Sequence, residues 1–179
     1  MERSGLEICP GCDATLPPVV GSAHPYIGSS PSCWAAYGDL LAREYGDAEL
    51  MKVHRLTVDA YAAQHPGVPG RRSTQSVWVH LGGLYLTLER GLSGDFARRV
   101  IGRMTDDAER LVWLEPPVHR GTFRVTDILA AEGPGAHEAA VLRWSEEVWR
   151  SWAPHHRTII DAANRAVAKF QRSGDQRGA

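Results

Sequence analysis

Residues 75–90 read QSVWVHLGGLYLTLER. Val77, Trp78, Val79, Leu81, Leu84, Tyr85, Leu86 and Leu88 leave almost no polar face before Glu89 and Arg90, so a helix over this stretch is apolar nearly all the way round. Such a helix belongs at the centre of a helical fold. Gly82 and Gly83 in its middle each cost about 1 kcal/mol relative to Ala, a cost that the close approach of a neighbouring helix would offset. His80 falls on the side of Val77, Leu81, Leu84 and Leu88, which predicts a largely buried imidazole, either hydrogen-bonded in the core or functional.

Around this centre, apolar residues recur at helical spacing far more often than they alternate, and the 11 prolines and 18 glycines punctuate the pattern. Ser30 can cap a first helix over about 31–45, with Pro31 at its first position and Gly46 as its stop. A second helix is expected over 48–65, closed by Pro66 and Gly67, and a third over 75–90. A fourth spans about 95–104 and a brief one ends at Leu129. Two long helices at 136–152 and 155–171 meet at Pro154. Residues 122–125 read as one short extended piece, and WLEPP at 113–117 as a break into loop. The fold class is therefore all-α: an irregular zinc-anchored N-terminal arm on a bundle of about six helices. The expected organisation is a single domain over 1–172, with 1–30 the metal-binding arm and 31–172 the helical body, followed by a disordered tail at 173–179.

The 179 residues are 43% hydrophobic and 23% charged, enough for a core that needs no disulfides. Lys plus Arg (20) nearly balances Asp plus Glu (21), so no global field draws the chain to nucleic acid or an anionic membrane. No apolar run reaches the 18 residues of a membrane span, and the first residues lack the pattern of a signal peptide. The expectation is a cytoplasmic protein with no nucleic-acid or membrane partner and with a small molecule as a candidate ligand. Nucleophile-elbow, zincin and phosphate-loop motifs are absent. So is the H-x-E with P-C-x-x-C pair of the zinc deaminases.

Residues 1–29 carry Pro17, Pro18, Gly21, Pro25 and Gly28 and form no long helix, so the arm needs an anchor other than a core. Cys9-Pro10-Gly11-Cys12 offers two thiolates on one tight turn, and Cys33, in the first turn of the first helix, offers a third. A redox dithiol or simply free thiols are the alternatives. The nearest fourth ligand is His24, which makes Cys9, Cys12, His24 and Cys33 the expected zinc set, with a histidine from the helical body as the other candidate.

His54, Val58, Tyr61 and His65 share one face of the second helix. With His80, His155 and His156 on helices that must pack together, they can line an internal pocket beside Asp59 and Gln64. The candidate catalytic residues are His65 or His80 as general base, Asp59 to orient it, and Tyr61. Trp144, Val148 and Trp152 form a stripe that suits either core packing or an aromatic pocket wall.

CPGC at 9–12, HPYIGSSPSCW at 24–34, HRLTVDAYAAQHPG at 54–67, SVWVHL at 76–81, WLEPP at 113–117 and VWRSWAPHH at 148–156 together resemble a family of small bacterial proteins, common in actinobacteria, classed as a domain of unknown function. The resemblance implies no activity. It marks Cys9, Cys12, His24, Cys33, Asp59, Tyr61, Gln64, His65, His80 and His156 as positions to follow. The sequence thus points to a small zinc-binding protein with a His- and Trp-lined pocket, an enzyme of lyase, isomerase or hydrolase type acting on a small molecule. The alternative is a regulatory or adaptor protein with a structural zinc site.

Overall fold

A computed structural model describes residues 5–106 and 111–175. The arm opens with a two-stranded antiparallel hairpin, β1 (Glu7–Ile8) and β2 (Thr15–Leu16), in which Glu7 faces Leu16 and Ile8 faces Thr15. The sequence reading left this hairpin out because two residues per strand carry no period. What makes it is the turn between the strands: Cys9 N–H donates to Ala14 O, Asp13 N–H donates to Cys9 O, and Asp13 takes a positive φ of 61°.

Seven α-helices follow among the described residues: α1 (Pro31–Tyr45), α2 (His54–Gln64), α3 (Arg71–Leu88), α4 (Gly94–Ile101), α5 (Val125–Leu129), α6 (Gly133–Ser151) and α7 (His156–Asp175). Ser30 caps α1 as read, its Oγ accepting from Cys33 N–H at 3.2 Å. The expected second helix divides, with a 3-10 turn at Leu50–Val53 leading into α2. Thr122 to Val125 form no strand. Instead Arg124 N–H donates to the Asp127 carboxylate and starts α5. Helix α7 continues to Asp175, so residues 173–175, read as tail, are helical, while 176–179 lie outside the described residues.

The apolar helix read first is central. Val77, Leu81, Leu84 and Leu86 of α3 are fully buried, and α3 packs against α2, α4, α6 and α7. The tryptophans go mainly to this core. Trp144 and Trp152 are fully buried, and their indole N–H groups donate to Gln64 Oε1 and Ala63 O. Trp78 and Trp149 likewise donate to Val112 O and the Glu89 carboxylate. His155 and His156 do not converge on a pocket either: each donates from Nε2 to a backbone carbonyl, of Glu115 and Trp149 respectively, and His156 stacks on the Trp149 ring.

The arm lies along one end of this body, held at several points. Glu7 accepts from Ser32 N–H at the start of α1, and its carboxyl is held below the usual range by Ser32. Ser32 Oγ donates to Pro17 O. From the other side, the Arg120 guanidinium donates to Gly11 O, Pro10 O and Pro117 O, clamping the Cys9–Cys12 turn to the 117–120 loop. Among the described residues, no helix is long and apolar enough to cross a membrane.

Candidate functional site

The hairpin turn presents Cys9 and Cys12, the first turn of α1 presents Cys33, and the residue that ends α2 is His65. Their ligand atoms all lie within 4.8 Å of one another and all four residues are buried. Cys12 Sγ and Cys33 Sγ are 3.8 Å apart, and Cys33 Sγ is 3.5 Å from His65 Nε2. The three cysteines are free thiols.

The fourth member of the cluster is His65, and His24, the fourth ligand expected from the sequence, is not among the four. His24 lies in the irregular part of the arm with its ring against Tyr26 and Trp34, at centroid distances of 4.2 and 5.2 Å. Proximity in sequence favoured His24. Helix geometry decided otherwise, because α2 ends beside the hairpin and points its last side chain at the thiols. The neighbours of His65 make it a competent ligand. Its Nδ1 lies 2.7 Å from Tyr61 O, which can only accept, so Nδ1 carries the proton and Nε2 keeps its lone pair for the thiol side. The ring stacks on Tyr61, which stacks in turn on Tyr37. Gly11 completes the fit: a Cβ there would run into the His65 ring and Gly28 O, so only glycine lets the turn close over the imidazole.

Charge shapes the cluster as much as distance does. Hydrogen bonds from Cys12 and Cys33 hold the Cys9 thiol far below the ordinary range, whereas Cys33 is pushed far above it by its bonds to Cys12 and to Cys9, with burial. Cys12 gains from the Cys33 bond but is pushed up to about 12 by the bond to Cys9 and by burial. Three thiolates coexist at such spacing only around a cation. Further donors face the sulfurs: Ser30 N–H points at Cys9 Sγ (3.5 Å) and Tyr61 O–H at Cys33 Sγ (3.6 Å). The donor set, three sulfurs and one imidazole, suits a soft or borderline divalent metal ion. A tetrahedral ion held by all four residues would have no coordination position left for substrate.

The four residues read as catalytic separate into two places. His65 and Tyr61, with 0% and 1% of their surface exposed, belong to the thiol cluster, so neither is available to a bound molecule. Asp59 and His80 form a different unit: the fully buried Asp59 carboxylate accepts from His80 Nδ1 at 2.7 Å and from Arg55 Nε at 2.7 Å, with a second Arg55 nitrogen on its other oxygen. The carboxylate seats against Gly83, where a Cβ would strike it. The His80 side chain is 19% exposed, so the expectation of a largely buried ring holds, and its open edge faces a cleft of about 370 Å³ lined by Tyr26, Arg72, Gln75, Ser76 and Val79. No tryptophan lines that cleft, contrary to the His- and Trp-lined pocket expected.

A third polar cluster escaped the sequence reading. Glu44 of α1 is fully buried, accepting from His54 Nδ1 (2.6 Å), Thr57 Oγ1 (2.5 Å) and His137 Nε2 (3.0 Å). Glu44 is the penultimate residue of α1. Only the approach of α6 with His137, from far along the chain, shows its use.

Compared with known proteins, residues 7–153 match a family described as a family of unknown function (DUF5946). No curated protein and no solved structure matches the chain.

Proposed function

We propose that this chain, which belongs to that family of unknown function, is a structural zinc protein: Cys9, Cys12, Cys33 and His65 hold one zinc ion that fastens the N-terminal arm to α1 and α2. The observation that carries this is the spacing. With bonds of about 2.3 Å to sulfur and about 2.0 Å to nitrogen, tetrahedral zinc sets two sulfurs about 3.8 Å apart and a sulfur and a nitrogen about 3.5 Å apart. The Cys12–Cys33 and Cys33–His65 distances are 3.8 and 3.5 Å. Four protein ligands in a closed site serve structure, whereas a catalytic zinc keeps a position for water. Thiols that must stay reduced to bind metal suit the cytoplasm.

The arm that the ion holds supplies Tyr26 to the wall of the cleft over His80, which supports small-molecule binding as the business of the helical body. The adaptor reading has one observation in its favour, the exposed apolar side chains of Leu6, Ile8, Val19 and Val20 on the arm. Elemental analysis of protein purified without chelator tests the central claim. One equivalent of zinc per chain is expected. Well under half an equivalent of any metal rejects the centre, and an equivalent of iron keeps the centre but rejects zinc.

A further inference from the structure

We infer that the cleft over His80 is a binding site for a small acidic anion, a molecule bearing a carboxylate or phosphate group, in which Arg72 holds the charge and His80 takes the proton. The inference does not depend on which metal the thiols bind.

The chemistry starts at Asp59. A carboxylate with no exposed surface accepts from His80 Nδ1, so the neutral imidazole carries its proton on Nδ1 and its lone pair on Nε2. Among the described residues, Nε2 has no hydrogen-bond partner and is not a buried orphan, so it belongs to the exposed edge of the ring at the cleft. A base is thus oriented from behind and open in front, the arrangement that general base catalysis needs. A ring that served only to satisfy Asp59 could as well have been sealed beneath the surface, as His137 is beneath Glu44.

The lining sets the class of ligand. Arg72 is exposed one helical turn before Ser76, which is one turn before His80, so the three follow one face of α3. No acid among the described residues pairs with Arg72, whereas Arg55, the other guanidinium nearby, is committed to Asp59. A free planar cation beside hydroxyl and amide groups recognises a carboxylate or phosphate. Gln75, Ser76 and Tyr26 supply neutral hydrogen-bonding groups at the same cleft. The proton step balances within the site. His80 Nε2 bonds to a proton of the bound acid, the electron pair of the broken O–H or C–H bond stays on the ligand, and the imidazolium so formed lies against the Asp59 carboxylate. Returning the proton to the same or a neighbouring atom restores the resting protein, with no co-reactant.

The test follows the histidine ring nitrogens by NMR in the metal-loaded, full-length protein, at a pH where His80 is neutral. Inorganic phosphate and acetate are titrated in separate arms, and the metal content of each sample is measured. The expected resting spectrum has His80 protonated at Nδ1 and bare at Nε2. Phosphate, acetate or both should move the Nε2 signal saturably toward its protonated position, the proton coming from dihydrogen phosphate in one arm and from solvent in the other, where the bound acetate has none to give, and the arm with the tighter response identifies the group. Arg72→Gln, a surface change, should weaken that response at least tenfold, while Arg98→Gln, on α4 and outside this cleft, should leave it unchanged. A resting His80 protonated at Nε2 overturns the inference. So does the absence of a saturable response to either anion, or equal weakening by both substitutions. If the protein as purified carries no metal and takes none up, and still gives the full response, the zinc reading is rejected and this one stands.

Discussion

His65 and His80 use their rings in the same way for opposite ends. Each gives Nδ1 to an acceptor within the protein, Tyr61 O in one case and the Asp59 carboxylate in the other, and so leaves the lone pair on Nε2. At His65 that lone pair faces three buried thiols, and at His80 it faces an open cleft. The difference lies in what stands opposite. The arm folds its hairpin turn down onto His65, with Gly11 against the ring, while over His80 it offers only Tyr26 at the rim. One strap of chain thus closes one histidine site and leaves the other accessible.

Removing a thiol should break the closed half most severely. Cys12→Ser is expected to lose the metal and, since structural zinc sites in small peptides contribute about 10 kcal/mol or more of apparent binding energy, to lower the melting temperature by well over 10 °C. Hydrogen exchange should show lost protection over 7–30, in the first turn of α1 that carries Cys33 and at the end of α2, with α3 and α6 still protected. Intact protection of the arm in metal-free protein would reject the anchoring role.

The open half breaks through its buried acid. Asp59→Asn leaves Arg55 facing a neutral group in a buried setting, and loss of one partner of such a pair costs about 3 kcal/mol. Chemical denaturation measures this, and zinc content should stay at one equivalent. Gly83→Ala sharpens the same point sterically. Its Cβ must displace the Asp59 carboxylate, and overpacking of this kind costs about 1–3 kcal/mol. The His80 ring signals should shift in this variant while those of His65 do not.

Two smaller effects refine the comparison. His24→Ala should keep a full equivalent of zinc and lose about 1 kcal/mol from its contacts with Tyr26 and Trp34. A drop in metal content there would return His24 to the ligand set. Glu147 tests the loop at 120–123, whose Arg120 holds the arm at Gly11. Burial alone would raise its carboxyl, but the Thr122 N–H and hydroxyl, the Phe123 N–H and Arg143 pull it down to about 2. A carboxyl depressed in the folded state stabilises above the unfolded value near 4.5, and that contribution is lost as pH falls toward 2. Glu147→Gln should therefore flatten the acid limb of the stability profile between those values and leave neutral-pH metal binding intact.

The parts of this molecule written in local periodicity were readable. The bounds of α1, its Ser30 cap and the central place of 75–90 follow from residues within a few positions of one another. Three of the four cluster residues were visible for the same reason, since a C-x-x-C turn and a helix-start cysteine are local signals. His65 was seen on the right helix face with Tyr61 but assigned to catalysis, because which end of α2 meets the hairpin is a tertiary fact. Glu44 with His137 and Gln64 with Trp144 join residues 93 and 80 positions apart, and no pattern in the chain announces such pairs.

The cluster of three thiols and an imidazole has a topological consequence. Cys12 and Cys33 are 21 positions apart, and Cys33 and His65 a further 32, so an ion bound to all four residues is a reversible cross-link that closes two long consecutive loops beyond the short Cys9–Cys12 turn. Its ligands sit on three separate elements, so no single side-chain movement frees it. Escape then requires the hairpin to peel from both helix ends at once. The rate at which a chelator strips the ion should level off at that opening rate as chelator concentration rises, which makes residence time, more than affinity, the property that the arm controls.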